Sequence, residues 1–245
     1  MAKQGGLGQR LLVGGNDISG DVQALDMVHG GPSPLDVTDI TQSAHSRIGG
    51  LRDGGLGASA FFDAANAHLV LNGLPTADAA VSYLLNTTIG GPAACCVAKQ
   101  IGYDPTRGAD GSLLLKTQFD ANGFGLEWGE QLTAGLRTDT TATAGPFTDD
   151  GSSSAFGAQA YLHVTSFSGT SVTVAVQHAT TSGGSYSNIT GLAFTAVTAA
   201  PAWQRLATSN SLTVNEFVKV TTTGTFTNAV FSVVFVRNKL AGQVF

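Results

Sequence analysis

Residues 160–177 read AYLHVTSFSGTSVTVAVQ. Ala160, Leu162 and Val164 alternate with Tyr161, His163 and Thr165, and Val172, Val174 and Val176 alternate with Thr173, Ala175 and Gln177. A two-residue apolar period is that of a β-strand with one face in a core. Between the two runs, Phe167-Ser168-Gly169-Thr170 reads as a turn. Working outward, Ile189 to Val197, Trp203 to Ala207, Glu216 to Thr222 and Ala229 to Val236 repeat the pattern, giving about six strands in this part of the chain. Strands at this spacing, with polar turns and no helical period, predict a β-sandwich.

The first part of the chain is more mixed. Arg10 to Val13 is an apolar run stopped by Gly14-Gly15, and Val22 to Val28 alternates as a strand. His29 to Gly50 contains Gly30-Gly31, Pro32 and Pro34 and has no sustained period, so it reads as a long irregular loop, a kind that is often functional. Leu51 to Phe62 resumes a strand pattern around Asp53-Gly54-Gly55, a hairpin-like signal. Two short helices are expected next: one capped by Asp63 and holding Leu69 and Leu71, the other capped by Thr76 and holding Val81, Leu84 and Leu85. Ala93 to Tyr103 and Ser112 to Phe119 are strands joined by a turn-rich segment, and Phe124 to Leu132 adds another. Residues 138–154, TDTTATAGPFTDDGSSS, are small, polar and rich in breakers, and read as a linker. The expectation is a mainly β chain with a first domain at 1–137, a linker at 138–154 and a sandwich domain at 155–245.

Composition narrows the function classes. The chain has 245 residues, of which 12% are charged and 32 are Gly. An average soluble protein is about 25% charged. So low a value suggests surface buried against other subunits. The net charge of -5 is uneven, with -6 on residues 1–146 and +1 on the remainder. No basic patch of the kind that grips nucleic acid is present. Cys95 and Cys96 are adjacent, and neighbours on a strand face opposite ways, which disfavours a disulfide or a shared metal site. The N-terminus has no apolar signal-like segment, and no stretch approaches 18 apolar residues.

A search for catalytic and binding chemistry finds little. The five histidines have no metal-ligand spacing, and neither a nucleophile elbow nor a phosphate loop is found, so no enzyme, metal or cofactor is expected. Glu127 and Glu130 flank Trp128 and superficially suggest the paired carboxylates of sugar hydrolysis. Tyr161, Tyr186 and Trp203 offer the aromatic platform of a carbohydrate-binding module, an alternative reading of the second domain.

One longer stretch carries a resemblance. NDISGDV (16–22), QALDMV (23–28), the long loop, and TQSAHSRIGGLRDGGLGASAFFD (41–63) follow the order seen in tail tube proteins of long-tailed bacteriophages. DGSLLLKTQF (110–119), followed by Gly129 and Leu132, is similar to that family's closing strand. The match covers about residues 12–135. The C-terminal part resembles the outer sandwich domain appended to many such proteins.

The resemblance implies a tail-tube domain of sandwich or barrel type, assembled as homohexameric rings that stack into a conduit for genome ejection. The long loop would reach the adjacent ring through Leu35, Val37, Asp39, Ile40 and Arg47. The implied partners are other copies of the chain and the tape measure, tail terminator and distal tail proteins, with double-stranded DNA passing without adhering. The implied location is the virion tail, assembled in the host cytoplasm. A bore that repels DNA should be acidic, which makes Asp17, Asp21, Asp26, Asp53, Asp63, Asp110 and Asp120 lumen candidates. A minor tail, distal tail or fibre protein is the alternative within the same class.

Overall fold

The computed structural model describes residues 5–74 and 77–242. In chain order the elements are β1 (Arg10–Val13), β2 (Asn16–Asp17), β3 (Val22–Asp36), β4 (Arg47–Phe61), α1 (Ala67–Leu71), β5 (Ala79–Leu84), β6 (Pro92–Arg107), β7 (Leu113–Ala121), β8 (Glu127–Gln131), β9 (Arg137–Asp139), β10 (Ala144–Asp149), β11 (Ala158–Ala179), β12 (Ser187–Ala193), β13 (Ala202–Ala207) and β14 (Phe217–Arg237). The mainly β expectation holds. Two compact units divide the chain: 5–21, 79–95 and 128–242 form one; 22–74, 77–78 and 96–127 form the other. This division differs from the expected seam. Residues 138–154 fall inside the first unit, where β9 and β10 both pair with β14.

The spine of the first unit is β11 against β14, antiparallel from Ala158↔Arg237 to Ala179↔Phe217. The chain does turn at 167–170, but without breaking the ladder: β11 and β14 bend together there, so that Arg237, near the Ala158 end, reaches the Val214 and Asn215 carbonyls beside His178, near the other end. Register shifts at Val164/Ser166, Ser168/Gly169 and Gly169/Ser171 mark bulges. Gly169 is the reason. Its φ is +148, and a Cβ there would lie 2.4 Å from the Cα of Phe226. The glycine therefore serves a bulge at the point where the two-stranded ribbon folds back on itself. Val172, Val174, Val176, Val220, Phe231 and Phe235 are among the fully buried residues of the core. Truncating one of these large side chains to Ala would cost about 2–5 kcal/mol.

The second expected helix is also a strand. Ala79–Leu84 pairs antiparallel with β1, from Arg10↔Leu84 to Val13↔Val81, and Thr76 lies outside the described residues. The first helix is present as α1. Asp63 works in the turn before it, its Oδ1 accepting the Ala65 N–H at 2.7 Å.

His163 on β11 is fully buried. Its Nδ1 faces the Gly15 N–H at 3.3 Å and its Nε2 faces Ser82 Oγ at 2.9 Å. With Nδ1 accepting from the backbone, the neutral ring donates from Nε2 to the serine. Burial lowers its pKa from 6.5 to about 3. Below pH 6.5 the unfolded chain takes up a proton that the folded chain refuses. Stability is therefore lost as the pH falls from 6.5 towards 3. Across about pH 7 to about pH 4, the slope of the denaturant midpoint against pH should be less positive in His163→Gln than in the parent. An unchanged slope would place the acid sensitivity elsewhere.

Cys95 and Cys96, on β6, are both buried. Burial, reinforced by the charges of Glu127 and Asp120, pushes the Cys96 thiol up to about 12. Only the thiolate is nucleophilic. A thiol-specific disulfide reagent should release no colour from the native chain and react with both cysteines after unfolding. Rapid native reaction would contradict this packing.

Candidate assembly surface

The second unit contains an antiparallel meander in the order β3-β4-β7-β6, with β3 as an outer strand. One face of it is apolar. Leu56, Ala58 and Ala60 on β4 sit opposite Phe119, Thr117 and Leu115 on β7, and all six are buried. The other face is polar. Ser59 pairs with Lys116, Gly57 with Gln118 and Gly55 with Asp120, while Asp120 and Lys116 meet Lys99 and Asp104 on β6. Asp26 joins this face by accepting the Ser59 hydroxyl at 2.5 Å.

The long irregular loop expected at 29–50 is instead most of a β-hairpin. β3 and β4 pair through Gly30↔Gly54, Pro32↔Arg52, Leu35↔Ile48 and Asp36↔Arg47, with one register shift between Pro32 and Pro34. Pro32 and Pro34 are tolerated because β3 lies at a sheet edge, where a missing N–H breaks no second ladder. Asp53-Gly54-Gly55 is likewise strand rather than turn. A Cβ on Gly54 would sit 2.5 Å from the Leu126 backbone nitrogen, so glycine is needed where that segment crosses the strand.

The ladder between β4 and β7 starts at Gly55. Before that residue, the hairpin is a two-stranded arm roughly 20 Å long. Its tip is tied down by side chains. Asp36 Oδ1 accepts the Thr38 N–H at 2.9 Å and the Thr38 hydroxyl at 2.5 Å, and His45 Nδ1 lies 2.9 Å from Oδ2. Asp39 Oδ1 accepts the Thr41 N–H at 2.8 Å and its hydroxyl at 2.5 Å. These bonds, the threonine hydroxyls first, hold both carboxyls below the ordinary value. The tip is thus a folded feature.

The arm exposes apolar side chains. Ile40 is fully exposed and Leu51 is 87% exposed, while Leu35, Val37 and Ile48 are each about half exposed. Of the five residues expected to make contacts, Leu35, Val37 and Ile40 present apolar surface. Arg47 stands opposite Asp36, and Asp39 is engaged in the tip turn. Ile48 and Leu51 were missed. The signal for Ile48 is its place across from Leu35, which only the pairing reveals.

The seven acidic candidates divide between the two units. Asp26 and Asp120 lie on the polar sheet face. Asp17 pairs with Arg10 at 2.5 Å in the first unit, and Asp21 ends that unit's first segment. Asp53 is on the arm, Asp63 is in the turn before α1, and Asp110 caps a turn by accepting from Ser112. Asp104 belongs with Asp26 and Asp120, and Lys99 and Lys116 share that face. It is therefore mixed in charge rather than uniformly acidic.

The three aromatics of the sugar-binding alternative do not form a platform. Tyr161 is fully buried, and its hydroxyl accepts from Arg205 Nε at 3.0 Å. Tyr186 instead stacks on Phe147, with centroids 6.5 Å apart, and lies under the Lys219 ammonium at 3.8 Å. Trp203 is half-buried on β13, in register with His163. Glu127 is buried in the second unit, whereas Glu130 belongs to the first and meets Asp150.

No known protein family matches this chain, and no curated protein matches it. Among solved structures it is similar to the Dit protein of phage SPP1, described as a paradigm of the hub adsorption apparatus in phages infecting Gram-positive hosts. That alignment has 10% identity and a TM-score of 0.34, and covers 94% of this chain and 99% of the other. A second similarity is to the phage P2 baseplate in its activated, calcium-containing conformation, at 11% identity and a TM-score of 0.31, covering 95% and 99%. Values this low establish neither a common family nor a common role.

Proposed function

We propose that this chain is a structural virion protein that assembles with itself, as hexameric rings stacked into the tail tube of a long-tailed bacteriophage. The observation that carries the reading is the arm. A two-stranded ribbon is marginal in water, and this one displays Leu35, Val37, Ile40, Ile48 and Leu51. A copy of the chain in the adjacent ring would cover these residues. The order of motifs over residues 16–62 supports the same reading, as does the low charge of the whole chain.

The edge strand β3 supplies unpaired backbone groups for a neighbouring subunit within a ring, which removes an aggregation-prone edge by closure. The polar face bearing Asp26, Asp104 and Asp120 would line the bore, with Lys99 and Lys116 moderating its charge. Tape measure, terminator and distal tail proteins would be the remaining partners, in a virion assembled in the host cytoplasm. No catalytic step is part of this role.

Sedimentation velocity over a concentration series tests the reading. A shift from monomer to species of six or more subunits supports it. A monomer throughout would sink it, and a single ring that never stacks would make the chain a distal or minor tail component instead.

A further inference from the structure

Within the first unit, a cavity of about 350 Å³ opens beside β8. Trp128, Glu130, Asp149, Asp150, Arg237 and Lys239 are among its lining residues. This volume is near the lower end for small-molecule sites, which run from about 300 to 1,000 Å³. Three features of the wall are specific. Trp128 is 55% exposed, so a large flat indole stands at the opening instead of in a core. Asp150 and Arg237 are ion-paired, with side chains only 9% and 6% exposed, so the back of the cavity is fixed. Glu130 is hydrogen-bonded both to Asp150 and to the Thr148 hydroxyl, the latter at 3.3 Å.

The chemistry of this wall selects a ligand class. Burial first, then the hydrogen bond and charge of Asp150, hold the Glu130 carboxyl protonated well above the ordinary range. With Glu130 neutral, Asp149 and Asp150 balance Arg237 and Lys239, so neither an anion nor a cation is favoured. What remains is an apolar plate next to several hydrogen-bonding groups of both kinds. A pyranose ring has the matching surface, with C–H groups on one face and hydroxyls around its edge. We infer that the cleft beside Trp128 binds a neutral sugar ring, stacked on the indole and held by Glu130, Asp149 and Lys239.

Binding without hydrolysis is expected. Glycosidase carboxyls stand about 5–5.5 Å apart, or about 6.5–9.5 Å apart, around the scissile bond. Glu130 and Asp150 act directly on each other, so they are not set apart on two sides of a scissile bond.

The chain has two tryptophans, so Trp203→Phe leaves Trp128 as the sole indole emitter. Galactose and glucose should be titrated separately into that variant at a dilution where the chain is monomeric, which keeps the result independent of the assembly reading. A saturable change in emission with at least one sugar is expected, half-complete on the order of 1 mM. Calorimetry on the otherwise unaltered chain should show Trp128→Ala weakening binding about tenfold or more, Glu130→Ala weakening it, and Glu130→Gln staying within about twofold. Trp128 is just over half exposed, so its loss should leave the circular dichroism spectrum unchanged and the chain folded at the titration temperature. No saturable change with either sugar would overturn the inference. So would undiminished binding in Trp128→Ala.

Discussion

A chain carrying Ile40→Asp together with Leu51→Asp should fold as the parent does and fail to assemble. Both side chains stand in solvent, at 103% and 87% exposure, so neither contributes apolar burial to the single chain. Charged surface substitutions at such positions change stability by no more than about 0.5 kcal/mol. In an assembly the balance reverses. Burying one such side chain is worth about 1.5–3 kcal/mol, so losing two removes about 3–6 kcal/mol from each contact. That is a weakening of about 10²- to 10⁴-fold before the cost of burying two carboxylates is counted. Leu35 and Ile48 are poorer choices for this test, because they face each other across the arm and support its own structure. Sedimentation would show the monomer alone, with the parent's melting temperature. Normal assembly by the double variant would mean that the arm is not the contact.

Replacing Arg237 by Ala should be among the most destabilising single changes in the chain. Its Nε contacts the Asp150 carboxylate, Nη1 donates to the Val214 carbonyl at 2.8 Å, and Nη2 donates to the Asn215 carbonyl at 2.7 Å. The guanidinium also lies 5.6 Å from the centre of the Phe235 ring. Removing it strands Asp150, nine-tenths buried, beside Glu130. Breaking a buried pair by deleting one partner costs about 3–5 kcal/mol. For a chain of this length the melting temperature should drop by roughly 10 °C. Asp150→Asn should recover part of that loss in the Arg237→Ala background, as a coupled pair requires. A cost below about 1 kcal/mol would show that water reaches the site and screens it.

Glu130 gives this unit a pH dependence opposite to that of His163. Its folded pKa is raised, so its contribution is complete at low pH and is lost as the pH rises from the ordinary carboxylate value through the elevated one. Glu130→Gln should therefore remove that loss of stability between about pH 4.5 and about pH 8, read as denaturant midpoints.

The β class was legible because residues 160–177 keep a strict two-residue period. Local signals misled where a residue had a strand-internal reason to be there. Gly169 reads as a turn, and the chain does reverse there, but through bulges in a continuous ladder and not through a hairpin loop. Gly30-Gly31-Pro32 reads as a loop, yet it is compatible with an edge strand whose partner lies some 20 residues further on. Ala79–Leu84 lost its alternation because it is buried almost throughout, and a short apolar run buried on both sides looks alike as helix or strand. The polar run at 138–154 reads as a linker because strand Ala144–Asp149 is mostly exposed. Glu127 and Glu130 were visible as a pair of interest flanking Trp128. The functional partner of Glu130 is Asp150, brought to it by β14, and no sequence spacing encodes that meeting.

The central claim is self-assembly into a hollow polymer. Negative-stain electron microscopy of the purified chain, imaged across a concentration series, tests it most directly. Rings with sixfold end views and, as concentration rises, stacked hollow rods are the expected result. Single particles of monomer size at every concentration would contradict it.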